Sequence, residues 1–299
     1  MRGTPLNWPT AKNLIKRRRR SDPHSSVAGE EIGLGIARAK SVCVVSGKGG
    51  TGKSLCSASL SRLLARRGRT LLMDADLGVA NAHLLQDVQP ESTLVDAVEG
   101  RVPFRNAITP CGGQLDLMAG GSGYARVAHL SQLELEILAS GLKALESEYA
   151  YLVVDSAAGL SDQTVSIAAA ADLVLLVTTS DLTSLTDAYA FLKVLLQRAP
   201  AREIWIVINR VQEAAEAAAA QKRMASVADK FLGQRPHFAA FLPEDRAAFR
   251  CTQRRIPVVL GEPESPLAAG LCGLGRQVAE SLDLVPAKGL GLTLSQRLS

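Results

Sequence analysis

From residue 41 onward, short apolar runs alternate with longer stretches in which apolar residues recur every three or four positions. Runs of the first kind predict buried strands, and stretches of the second kind predict helices with one apolar face. Strands are predicted at Ser41–Val45, Thr70–Met73, Leu115–Met118, Tyr151–Val154, Leu173–Val177 and Ile204–Ile208, with a weaker one at His237–Leu242. Helices are predicted at Lys53–Arg66, Leu130–Glu148, Leu182–Gln197, Glu213–Leu232 and Ser265–Leu282. Strands that are apolar throughout must be covered on both faces. The predicted fold class is therefore α/β, a single domain over residues 41–285 with a mostly parallel sheet flanked by helices on both faces. Leu271, Leu274, Val278 and Leu282 are read as part of its core.

The two ends of the chain follow another pattern. Residues 1–40 carry nine Lys/Arg against three Asp/Glu, whereas residues 41–299 carry 25 against 26. The net charge of +5 thus comes from a basic arm around a nearly neutral body. The arm holds Pro5, Pro9, Pro23 and the run Lys16–Arg20, a solvated block that suits an interaction tail. Trp8, Ala11, Leu14 and Ile15 sit near helical spacing ahead of that run. A protein partner, an anionic membrane surface and nucleic acid stay open as its targets. Residues 286–299 are read as a C-terminal tail. Leu290, Leu292, Leu294 and Leu298 with only Lys288 and Arg297 beside them give a weak membrane signal.

Composition narrows the class. With 299 residues, 47% hydrophobic and 21% charged, the chain can bury a core without staples. Asp172 interrupts the longest apolar stretch, so no membrane-spanning helix is predicted. The charged N-terminus lacks the apolar run of a secretory signal, and the expected location is the cytoplasm. Cys43, Cys56, Cys111, Cys251 and Cys272 form no C-x-x-C pair, and are read as small buried hydrophobes rather than disulfide or zinc partners. The same absence disfavours an iron–sulfur carrier.

The carboxyl ends of the predicted parallel strands, where ligands bind in such sheets, carry Gly47, Asp74, Gly120, Asp155, Thr178 and Asn209. Gly47-Lys48-Gly49-Gly50-Thr51-Gly52-Lys53-Ser54 fits G-x-x-x-x-G-K-[ST] between a strand and a helix, with Leu55 next in that helix. Its glycines let backbone N–H groups converge on phosphate oxygens, and the helix adds its positive end. Lys53 is expected to reach the β- and γ-phosphates of a nucleotide, and the Ser54 hydroxyl to ligate Mg²⁺. Asp74 and Asp76, two apart past a strand, can hold a magnesium water and orient an attacking water. Four apolar residues ending in Asp155 form a second magnesium-binding pattern, followed by the hinge Ser156-Ala157-Ala158-Gly159.

The additional lysine of K-G-G-x-G-K-S resembles the deviant phosphate loop of the MinD and ParA ATPases. That resemblance implies ATP as ligand with Mg²⁺, a homodimer closed by ATP, and Lys48 reaching the partner's nucleotide in trans. It implies that Asp76 positions the hydrolytic water, that Asp74 lies near the magnesium shell, and that Asn81 belongs to the same switch. It further implies an adenine site at Asn209, Arg210, Pro243, Glu244 and Asp245. The stretches Asp74–Asn81, Ala158–Asp162 and Thr178–Ala190 are similar to the flagellar-number regulators of the FlhG (FleN, YlxH) group. This implies an ATP-switched regulator of flagellar number or placement, with slow, partner-stimulated hydrolysis and a signal-recognition-type GTPase (FlhF-like) or basal-body protein as partner. Division-site placement and DNA or cargo partitioning are the alternative. Residues 1–40 lack the D-Q-A motif of that group, and Ala82-His83 stands where Leu-Asp is usual; His83 is read as a surface or packing residue.

Overall fold

The computed structural model describes residues 38–78, 80–121, 130–233 and 236–299; the arm up to residue 37 lies outside the described residues. Eight strands form one sheet among them: β1 (Lys40–Ser46), β2 (Thr70–Ala75), β3 (Ile108–Pro110), β4 (Leu115–Met118), β5 (Tyr151–Ala158), β6 (Leu173–Thr179), β7 (Glu203–Val211) and β8 (His237–Pro243). Their order is β3-β4-β2-β5-β1-β6-β7-β8. All neighbours are parallel except β3, which runs antiparallel to β4 at the edge. The first five helices are α1 (Lys53–Ala65), α2 (Ala82–Leu85), α3 (Leu94–Val98), α4 (Gln132–Leu145) and α5 (Asp162–Ala170). The remaining six are α6 (Leu182–Arg198), α7 (Ala214–Leu232), α8 (Arg246–Gln253), α9 (Val258–Gly261), α10 (Pro266–Asp283) and α11 (Leu290–Leu298). None is long and apolar enough to cross a membrane among the described residues.

The period of two along each strand splits the core in two. Val42 and Val44 of β1, Leu72 of β2 and Val153 of β5 join Leu60 and Leu64 of α1 and Leu271, Leu274, Val278 and Leu282 of α10 on one face. Cys43 and Val45, Met73 and Val154 join residues of α4 to α7 on the other. Both layers are buried, as uninterrupted apolar strands require. Capping side chains fix several of the helix starts. Ser131 and Glu134 close a reciprocal capping box at α4, and Ser161 and Ser265 cap α5 and α10.

Every predicted strand and helix is present, with α4 starting two residues after the predicted boundary, behind its cap. The elements that sequence reading passed over are short or lack a polar side. In α5 seven of nine residues are buried, so no amphipathic period marks it. The C-terminal segment is a docked helix rather than a free tail. Leu290 and Leu294 of α11 enter the core, and the helix packs on α4 and α5. A Cβ at Gly291 would collide with the backbone at Lys143, so glycine permits this close crossing. Cys43, Cys56 and Cys251 are buried and Cys111 and Cys272 half-buried, all free thiols. Burial pushes the Cys56 thiol up to about 12.

Candidate functional site

The register of three strands assembles the site. Asp155 pairs with Val44 of β1 on one side and with Asp74 of β2 on the other. Two carboxylates distant in sequence therefore lie side by side at the carboxyl end of the sheet. Between β1 and α1 the loop turns through Gly50 and Gly52 at φ of 79° and 90°, values open to glycine without strain. A Cβ at Gly52 would strike the Asn209 amide, and one at Gly47 the Asp187 backbone, whereas Gly49 and Gly50 face open space.

Lys53 opens α1 and points its ammonium at Asp155, 2.9 Å from Oδ1, with both side chains buried. Burial pushes the lysine's pKa down, but Asp155 and the fields of Asp74 and Asp76 outweigh it and hold the pKa above its ordinary value. Ser57, one turn along α1, donates to the same carboxylate oxygen at 3.1 Å. Sequence reading missed Ser57; its i+4 spacing from Lys53 was the available signal. Asp74 is fully buried and accepts from the N–H groups of Asp76, Asn81 and Ala82 at 3.1, 3.0 and 2.9 Å. Burial, and then the charge of Asp155, raise its pKa to about 7. The switch segment thus wraps the Asp74 carboxylate, with Asp76 half-buried at its rim. The Gly159 N–H donates to the Ser46 carbonyl at 2.9 Å, joining the second hinge to the strand that leads into the phosphate loop.

Other predicted residues take distinct places. The exposed end of Lys48 donates to Thr183 of α6 at 2.9 Å, away from the Lys53–Asp155 pair. Ser54 and Leu55 are half-buried in the first turn of α1. The Asn209 amide donates to the Thr51 carbonyl at 2.8 Å, bracing the loop from β7. Arg210, at φ 59°, pairs with Glu244 at 2.7 Å just beyond Pro243. Asp245 caps α8 through the Ala247 N–H at 2.8 Å and accepts from Leu267 at 3.3 Å. Its carboxylate is therefore occupied by two backbone donors. Half-buried His83 is held below its usual pKa by burial and by the nearby Arg255, as a packing residue would be.

These residues fit a magnesium nucleotide. The Thr51 hydroxyl is buried in the loop with no partner, and open space lies over Gly49 and Gly50. Ser54, Asp74 and Asp155 offer hard oxygen donors, too few for a protein-only cage but suited to Mg²⁺ shared with phosphates and water.

Comparison with known proteins agrees. The family pattern of the CobQ/CobB/MinD/ParA nucleotide binding domain matches residues 42–258. The antiactivator FleN of Pseudomonas aeruginosa is 32% identical over 246 residues, 82% of this chain and 86% of that protein. The flagellum site-determining protein YlxH of Helicobacter pylori is 32% identical over 190 residues, 63% of this chain and 64% of that protein. Among solved structures, the septum site-determining protein MinD of Pyrococcus horikoshii, complexed with Mg-ADP, superposes with a TM-score of 0.71 at 26% identity, covering 82% of this chain and 98% of that one. The Pyrococcus furiosus cell-division ATPase MinD gives 0.70 at 28% identity, covering 81% and 99%. With its matched phosphate loop, paired carboxylates and sheet order, the chain belongs to the CobQ/CobB/MinD/ParA nucleotide-binding family, as an ATPase of the MinD/ParA kind.

Proposed function

We propose that this protein is a cytoplasmic ATP-dependent switch that dimerises around its nucleotide, controls flagellar number or placement, and hydrolyses ATP slowly until a partner stimulates it. The observation that carries the switch is the convergence of the buried Lys53–Asp155 pair and the switch-wrapped Asp74 on one strand register. The flagellar assignment is supported by the likeness to the antiactivator FleN and the flagellum site-determining protein YlxH.

In this reading the loop N–H groups and Lys53 bind the β- and γ-phosphates, where the ammonium offsets charge growing on the transferred phosphoryl group. Asp76 orients the attacking water. Asn209 braces the loop from β7, and Arg210, Pro243, Glu244 and Asp245 line the base side. Bound Mg²⁺, held by Ser54, Asp74 and Asp155 directly or through water, would supply charge neutralisation at the phosphates. Lys48 serves the partner's nucleotide in trans; its ammonium lies on Thr183 instead of the buried pair, which leaves it available for transfer. A cation supplied across the interface makes the dimer depend on ATP. The basic arm of residues 1–40 is an interaction tail for a partner or for the anionic inner face of the membrane. An FlhF-like GTPase or a basal-body protein is the stimulating partner.

The test is the number and position of flagella per cell in a strain carrying Asp76→Ala, counted by electron microscopy. Altered number or placement with normal division and chromosome segregation is the expected result. Normal flagella with minicells or anucleate cells would move the protein to division or partitioning.

A further inference from the structure

The outer face of α8 belongs to none of the machinery described so far. Ala247 and Cys251, four residues apart, are its buried positions. Arg246, Phe249, Arg250 and Gln253 follow the i, i+3, i+4, i+7 spacing of one exposed stripe. Phe249 is 69% exposed, ahead of Phe231 at 64%. Residues 246–255 contain four arginines and no acid, in a body whose charges nearly cancel when these arginines are counted. Arg250 is paired with Glu262. Arg246, Arg254 and Arg255 are exposed, and none of them forms an ion pair among the described residues.

Arg255 adds an independent observation. It ends α8 at φ 56°, with its N–H on the Thr252 carbonyl and the Ile256 N–H on the Cys251 carbonyl. Glycine is preferred in such a left-handed helix stop, and α7 ends on Gly233 at φ 62°. After α8 the chain instead keeps a long cationic side chain against the backbone preference. The other left-handed arginine, Arg210, has its carboxylate in Glu244, whereas Arg255 has none within the described fold. Non-glycine residues at such angles concentrate where a side chain has work to do.

We propose that α8 and the turn after it form a docking surface for an acidic segment of a partner protein, with Phe249 as apolar anchor and Arg246, Arg254 and Arg255 engaging its carboxylates. An exposed aromatic ring with arginines before and after it along one helix and turn has the make-up of a protein–protein hot spot, and guanidinium forks match carboxylates two bonds at a time. Duplex nucleic acid asks for a longer basic track, which a body with 25 Lys/Arg against 26 Asp/Glu does not favour.

The full-length protein carrying Phe249→p-benzoylphenylalanine is irradiated in its own cells and the crosslinked peptide identified by mass spectrometry. The expected product is one protein stretch with an excess of Asp and Glu. A synthetic peptide of that stretch then binds the purified protein, more weakly as salt rises. Arg254→Glu with Arg255→Glu weakens that binding at least tenfold and leaves ATP turnover and melting temperature unchanged. Arg255→Gly also weakens it, yet raises the melting temperature by about 1–3 °C as the backbone relaxes, which separates lost recognition from lost folding. Crosslinking to nucleic acid, to lipid, to a second copy or to a neutral or basic segment overturns the proposal. So does the absence of a crosslink, or peptide binding indifferent to the arginine changes.

Discussion

The two ends of the sheet use the same residue type to opposite effect. At the amino ends of the strands, Asp172 takes the Ser41 N–H and hydroxyl at 2.9 and 2.8 Å, while its own N–H donates to the Ser41 hydroxyl at 2.9 Å. Lys288 adds a backbone donor at 3.3 Å, which ties the approach to α11 into the same knot. At the carboxyl ends, Asp74 and Asp155 are driven side by side into the interior, and one buried lysine faces them. The first arrangement satisfies a charge and locks two loops together. The second holds like charges in proximity, an arrangement that costs stability and leaves the groups ready to exchange partners.

Breaking the active end is expected to cost turnover before it costs folding. Lys53→Ala should lower ATP hydrolysis by about 10³-fold, followed by phosphate release. Asp76→Ala should lower it by about 10²-fold while nucleotide binding, followed by fluorescence titration, stays close to wild type. The opposite end should behave in reverse. Asp172→Ala is expected to remove about 2 kcal/mol from unfolding in urea with ATP affinity unaltered, and a loss of affinity would dissolve the contrast between the two ends. Asn209→Ala, which frees the Thr51 carbonyl, should weaken nucleotide binding about tenfold with a small loss of stability. A further expected effect is a pH slope. Asp74 ionises near pH 7 in the folded chain and near pH 4 in the unfolded one, so folding favours the protonated form. The unfolded state gives up its proton first. Stability of the nucleotide-free protein should therefore fall as pH rises from about 4 to about 7, and Asp74→Asn should flatten that slope.

The active end was the more legible of the two. Glycines at fixed offsets from Lys53, and carboxylates closing apolar strands, are local patterns with a local physical cause. The apolar runs located all the central strands for the same reason. What stayed hidden depends on distant pairing. The direct neighbourhood of Asp74 and Asp155 follows from β5 inserting between β2 and β1, which no spacing announces. The grip of Asn209 on Thr51 joins residues 158 positions apart. Asp187 was visible as part of a familiar phrase, but its backbone lying against Gly47 was not. Helix α11 escaped because its few leucines, taken alone, suit a free amphipathic tail as well as a docked helix; the groove on α4 and α5 decides between them.

The strand order also governs how the site comes into being during synthesis. Among the described residues β1 pairs only with β5 and β6, and β2 only with β4 and β5. The strand that carries the phosphate loop thus has no sheet partner until the chain has been made through Ala158, more than a hundred residues later. At about 5–20 residues per second, that is a wait of roughly 6–20 s with an apolar strand unpaired. In a ribosome-bound fragment ending before β5 the strand under the loop has no sheet partner, so the phosphate side of the site gains its support late, when one central strand arrives between β1 and β2, and the base side follows only with β7 and β8.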